Sequence, residues 1–124
     1  MKCVIIDDEP LAVELLVEFV GRIDSLELVT TFTNAIDAIS IINQSQIDLI
    51  FLDIQLSDGL SFEIFEQIDI KSAVIFTTAY DEYALRAFKL NSIDYLLKPI
   101  DEEDLEVAVN KFKARNQAQN ISLD

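Results

Sequence analysis

Residues 47–53, IDLIFLD, constrain this chain more than any other stretch. Five apolar residues, interrupted only by Asp48, lead into one carboxylate, Asp53. A short apolar run without alternation reads as a strand covered on both faces, the environment of a central strand in a parallel sheet. In open sheets of that kind a ligand sits just past the carboxyl ends of the strands. Asp53 falls where this strand should end.

The rest of the chain repeats the pattern. Residues 2–7 (KCVIID), 26–32 (LELVTTF), 72–78 (SAVIFTT) and 93–97 (IDYLL) read as further strands. Pro10, tolerated in a first helical turn, opens a helix to about Val20, with Gly21 as its stop. Its Ala12, Leu15, Leu16 and Phe19 fall on one core-facing stripe. Val13, Val17 and Val20 form a second apolar face, either scattered surface residues or a docking patch for a partner. Asn34 caps a helix carrying Ala35, Ile36, Ala38, Ile39 and Ile42. A loop, QLSDG, leads to a helix around Leu60–Gln67, and Asp81 begins another with Ala84, Ala87 and Phe88 inward. A last helix runs from Asp101 to about Arg115. Strand and helix thus alternate five times, which predicts one doubly wound (βα)5 α/β domain with a parallel sheet and helices on both faces. The domain spans residues 1–115, and the polar stretch 116–124 reads as a tail or the start of a linker.

Charge and composition remove several classes of function. A formal net charge of -14 repels phosphate backbones and anionic lipids, so this domain is expected to bind neither nucleic acid nor membrane. No apolar run approaches the ~20 residues of a membrane span, and the first residues read as a strand rather than a signal peptide, so the cytoplasm is the expected location. The chain has no histidine, which removes Ser/His or Cys/His catalysis, histidine metal sites and a phosphohistidine donor role. Cys3, the single cysteine, reads as a small buried hydrophobe.

The residues at the strand ends form a set. Strand one ends at Asp7 and Asp8, strand three at Asp53 with Gln55 beyond, strand four at Thr77 and Thr78, and strand five at Lys98. If strands one and three are neighbours, three carboxylates share a pocket. At ~5 Å and an effective dielectric of ~20, each like-charge pair costs about 3 kcal/mol. Such a cluster takes up protons or a cation, and carboxylate oxygens suit a hard ion such as Mg²⁺. A metal beside a lysine receives a phosphoryl group well, a threonine hydroxyl can donate to it, and a carboxylate so placed can attack phosphorus to form an acyl phosphate. A dehalogenase-like phosphatase would want a second Asp where Gln55 stands. A flavodoxin-like electron carrier would want a hydroxyl-rich phosphate loop where DDEP stands.

On the Asp7–Asp8 pair, Asp53, Thr78–Ala79, Tyr95 and Lys98–Pro99, the chain resembles the response-regulator receiver domains of two-component signalling over about residues 2–115. The run FTTAYDEYALRAF with DYLLKPI is similar, more narrowly, to the LytTR (LytR/AlgR) class. The resemblance implies a flavodoxin-like fold with strand order 2-1-3-4-5. It implies Asp53 as phosphoacceptor, with Mg²⁺ held by Asp8, Asp53 and the backbone carbonyl of Gln55, and by Asp7 through water. It implies that Lys98 pairs with the phosphoryl group, that Thr78 and Tyr95 act as the switch, and that the Lys98–Pro99 peptide is cis. Two positions depart from the pattern: Ser57 and Ser61 stand where many receivers have Pro and Gly, and glycine comes at Gly59, which puts the loop conformation from Leu56 to Ser61 in question.

The implied activity is a phosphorylation-activated signalling switch, a phosphoacceptor rather than an enzyme with an external substrate. It would catalyse only its own phosphorylation, from a sensor histidine kinase, and slow self-dephosphorylation. Tyr80, two residues past Thr78, is expected to slow that loss. Arg86, Lys89, Lys98, Lys111, Lys113 and Arg115 crowd the last third of the chain, and acids open the last helix. That suits the helix dipole. It also suits a homodimer through the last two helices and strand five when phosphorylated, as the resemblance implies. The output of a longer protein would be transcriptional regulation.

Overall fold

The computed structural model describes residues 1–56, 59–61, 71–79 and 93–122. Its elements are β1 (Lys2–Ile6), α1 (Pro10–Gly21), β2 (Glu27–Phe32), α2 (Ala35–Gln44), β3 (Leu49–Asp53), β4 (Gln55–Leu56), β5 (Gly59–Leu60), β6 (Ala73–Thr78), β7 (Asp94–Leu97) and α3 (Glu102–Ser122). The helices expected around Leu60–Gln67 and from Asp81 lie outside the described residues beyond Ser61.

Five strands form a parallel sheet in the order β2-β1-β3-β6-β7. Counted along the five expected strands this is 2-1-3-4-5, the flavodoxin-like arrangement. β3 lies at the centre, and its residues Leu49–Asp53 are all buried, as a run apolar on both faces requires. β2 lies at one edge and is mostly exposed.

Alternation along the strands feeds two cores. Leu49 and Phe51 of β3 join Leu16 and Val20 of α1 and Leu105, Ala108, Val109 and Phe112 of α3 on one face. Ile50 and Leu52 join Ala35, Ala38 and Ile42 of α2 on the other. Cys3 is buried in the first core, and burial pushes its thiol up to about 11.

The helix ends follow local chemistry. Asn34 caps α2, its Oδ1 accepting from the Asp37 backbone N–H at 2.9 Å. Asp101 does the same for α3, accepting from the Glu103 N–H at 2.8 Å. Glu102, Glu103 and Asp104 fill the first turn of α3, where the dipole favours negative charge.

The structure corrects three expectations. Gly21 lies inside α1, which ends at Arg22 in a right-handed conformation, so no left-handed glycine stop is used. Val20 is 1% exposed and belongs to the core, leaving Val17 exposed and Val13 half-buried on the second apolar face. And α3 continues past Arg115 to Ser122, because the intervening residues include helix formers Gln and Ala and neither Gly nor Pro.

The stretch expected as a loop after Asp53 also holds structure. Gln55–Leu56 pairs antiparallel with Gly59–Leu60. Gly59 has φ +124°, a conformation side chains rarely adopt, so the early glycine answers a backbone need. Ser61 is fully buried and satisfied: its N–H donates to the Ile54 carbonyl at 2.7 Å and its Oγ to the same oxygen at 3.1 Å. Ser57 lies outside the described residues.

Candidate functional site

Four side chains converge at the carboxyl edge of the sheet, and strand alternation explains why. Cys3 and Ile5 of β1, Leu49 and Phe51 of β3, Ile75 of β6 and Leu96 of β7 all enter the core under α1 and α3. Two residues further along each strand come Asp7, Asp53, Thr77 and Lys98, on the same face by the two-residue period. Each belongs to a neighbouring strand, so they form a row at one corner.

Lys98 binds this row together. Its Nζ lies 2.9 Å from Asp7 Oδ2 and 3.1 Å from Asp53 Oδ2, and 3.8 Å from Glu9 Oε2. Its own backbone N–H donates to the Thr78 carbonyl at 2.7 Å, fixing where the side chain starts. The Lys98–Pro99 peptide is cis, as the resemblance implied. Asp7 and Asp53 are nearly inaccessible, 1% and 5% exposed. Glu9 was not singled out by its sequence; it follows the acidic pair directly, and that adjacency was the available signal.

The cluster holds more negative charge than Lys98 balances. Carboxylate oxygens of Asp7, Asp8 and Asp53 lie within 4.8 Å of one another, with Asp8 exposed and the other two buried. Three carboxylates against one ammonium leave two negative charges. Burial and the charge of Asp7 raise the Asp53 carboxyl from 3.8 to about 7, against the opposing pull of Lys98 and the Gln55 N–H. Burial disfavours the charged form of Lys98, but hydrogen bonding to Asp7 and the charges of Asp53 and Asp7 outweigh it, so its pKa is raised. A hard, all-oxygen donor set with this surplus is compatible with Mg²⁺. Gln55 follows in β4, exposed, its N–H donating to Asp53 Oδ1 at 3.3 Å.

The two residues that the resemblance implied as a switch belong to the opposite face by the two-residue strand period. Thr78 is buried at the end of β6, one residue past Thr77, and Tyr95 of β7 is half-buried against the core under α2. Tyr80 lies outside the described residues.

The sequence matches the family model described as response regulator receiver domain over residues 3–110. The chain belongs to that family. As a receiver domain of two-component response regulators, it shares 39% identity over 122 residues with the sensory transduction protein LytT of Bacillus cereus, 96% of this chain and 50% of that protein. It shares 38% over 125 residues with the transcriptional regulatory protein BtsR of Escherichia coli, 99% of this chain and 52% of that protein. The receiver therefore spans about half the length of the curated relatives it matches. Among solved structures, the response regulatory domain of mrkE from Klebsiella pneumoniae superposes with a TM-score of 0.78 at 30% identity, covering 95% of this chain and 97% of that one. A two-component response regulator from Clostridium difficile gives 0.79 at 28%, covering 93% and 97%. The likeness to LytT agrees with the narrower LytTR resemblance. Among the described residues, no helix of the receiver is long and apolar enough to cross a membrane.

Proposed function

We propose that Asp53 is the phosphoacceptor of this receiver and that its donor is a phosphohistidine on a sensor histidine kinase. The observation that carries this reading is Asp53 itself: a buried carboxylate at a strand end, 3.1 Å from the Lys98 ammonium and clustered with Asp7 and Asp8. An Asp53 oxygen attacks phosphorus, the bond from phosphorus to the histidine nitrogen breaks, and the imidazole leaves with that electron pair. Bound Mg²⁺ would neutralise phosphoryl oxygens, held by Asp8, Asp53 and the Gln55 backbone carbonyl, with Asp7 through water. Lys98 pairs with a phosphoryl oxygen and orients the group. Thr78 donates its hydroxyl to another, and Tyr95 follows it inward, which shifts a pre-existing equilibrium rather than building a new state. The domain acts on no external substrate beyond its own phosphorylation and slow dephosphorylation.

Two surfaces extend the reading outward. Of the second apolar face of α1, Val17 is exposed and Val13 half-buried, and with exposed Leu11 they leave an apolar surface for a kinase. Leu97 and Val107, 44% and 53% exposed, flank a groove between β7 and α3 with Tyr95, suiting a homodimer of the phosphorylated form. Arg86 and Lys89, also expected on that surface, lie outside the described residues. In a longer, cytoplasmic protein with residues 116–124 leading into a linker, the output would be transcription, by analogy with BtsR.

The test is labelling by acetyl phosphate with Mg²⁺, read by intact mass. The Asp53→Asn chain is expected to lose the phosphoryl adduct. Equal labelling of that variant, mapped elsewhere by peptide mass spectrometry, overturns the assignment.

A further inference from the structure

Thr77 is the member of the corner row for which the chemistry above has no use. It is fully buried, and its Oγ1 has no hydrogen-bond partner among the described residues. Leaving a buried hydroxyl unsatisfied costs stability, and valine would fill the same shape without that cost. The location is specific. Thr77 is the register partner of Asp53 across the β3–β6 ladder, and by alternation it shares the face of Asp7, Asp53 and Lys98. Lys98 starts beyond β7 and reaches across β6 to touch Asp53. Thr77 is the β6 side chain on that face at that end.

Asp53 is already supplied with donors in this state: Oδ1 accepts from the Gln55 N–H and Oδ2 from Lys98. We propose that Thr77 is a positioning residue whose hydroxyl hydrogen-bonds the Asp53 carboxyl once a phosphoryl group draws Lys98 away from it. This rests on the reading of Asp53 as phosphoacceptor. A hydroxyl can rotate to donate where a partner becomes free. During loss of the phosphoryl group, water attacks phosphorus and the bond from phosphorus to the Asp53 oxygen breaks. The electron pair returns to the carboxylate, and inorganic phosphate leaves carrying the protons of the water. A hydroxyl hydrogen-bonded to the Asp53 carboxyl stabilises that returning charge. Thr77 therefore shortens the life of the phosphorylated state.

The experiment phosphorylates the chain with acetyl phosphate and Mg²⁺, acetate leaving as Asp53 attacks, removes the reagent, and follows decay by intact mass. Urea unfolding of each unphosphorylated variant is measured alongside. Thr77→Val is expected to lengthen the phosphoryl half-life about three- to tenfold, the range expected for loss of one such donor, with an unfolding midpoint equal to or above that of the parent. Thr77→Ser is expected to restore the parental half-life. A valine half-life within about twofold of the parent, or a serine variant that decays like valine, overturns the proposal. A lowered midpoint for valine also overturns it, because the hydroxyl would then have a partner in the resting fold. If peptide mapping places the label on a residue other than Asp53, the reading beneath the proposal fails, and the proposal with it.

Discussion

Asp53 is under two opposed pressures. Burial and Asp7 raise its pKa from 3.8 to about 7, while Lys98 at 3.1 Å works the other way. A carboxyl whose folded pKa lies above its unfolded value stabilises the fold when protonated. Without a cation, stability is greatest below about pH 4 from this group, and is lost as pH rises to about 7. A cation at the cluster competes with the same proton. Mg²⁺ affinity is therefore expected to rise about tenfold between about pH 6 and about pH 8, read by fluorescence or NMR titration. A flat profile over that range would mean that Asp53 is ionised throughout. Asp7, Asp53 and Lys98 were legible because each stands at a strand end and carries the charge the chemistry wants. Thr77 was visible at its strand end too, but singling it out required knowing that no partner among the described residues satisfies it, which sequence does not carry.

Among the elements, β3 bears the most. Phe51 is fully buried in the core shared by α1 and α3. Phe51→Ala is expected to lower the unfolding free energy by about 3–5 kcal/mol, measured by urea denaturation; a loss under about 1 kcal/mol would mean that the site collapses around the cavity. The long apolar runs made the five strands readable. The β4–β5 hairpin was not, because two-residue strands have no periodicity to detect. Val20 was misplaced because α1 is apolar on more than one side, and spacing alone does not say which side meets the sheet. The last turns of α3 were hidden by their polarity: residues 116–120 offer no apolar stripe to read, yet none of them breaks a helix. A bridge from Arg22 to Glu18 of α1 and Glu102 of α3 joins those two helices at the surface.

At the scale of the molecule, the order of the sheet decides which strand ends meet. Neighbouring β1 and β3 bring Asp7, Asp8 and Asp53 together; the alternation of strand and helix gave a parallel sheet, and the receiver resemblance gave the order that makes these two strands neighbours. What a sequence could not give was the exposure of each surface. Leu97 and Val107 are open, and Lys111 pairs with Asp94 at 2.9 Å nearby. Leu97→Asp with Val107→Asp is expected to abolish dimer formation of the beryllofluoride-treated protein without altering acetyl phosphate labelling, by light scattering after gel filtration and by intact mass. A parental chain that stays monomeric at high concentration when so treated would remove the dimer from the scheme.

Thr77 and Thr78 are consecutive, so the two-residue period of the strand gives them opposite faces: Thr77 that of its register partner Asp53, and Thr78 that of Tyr95. Thr78 stands at the last position of β6, so in the proposed scheme it is the residue that joins the two sides. On that scheme a partner docked beside Tyr95 would register the state of Asp53 through a single hydroxyl, without touching the carboxylate itself.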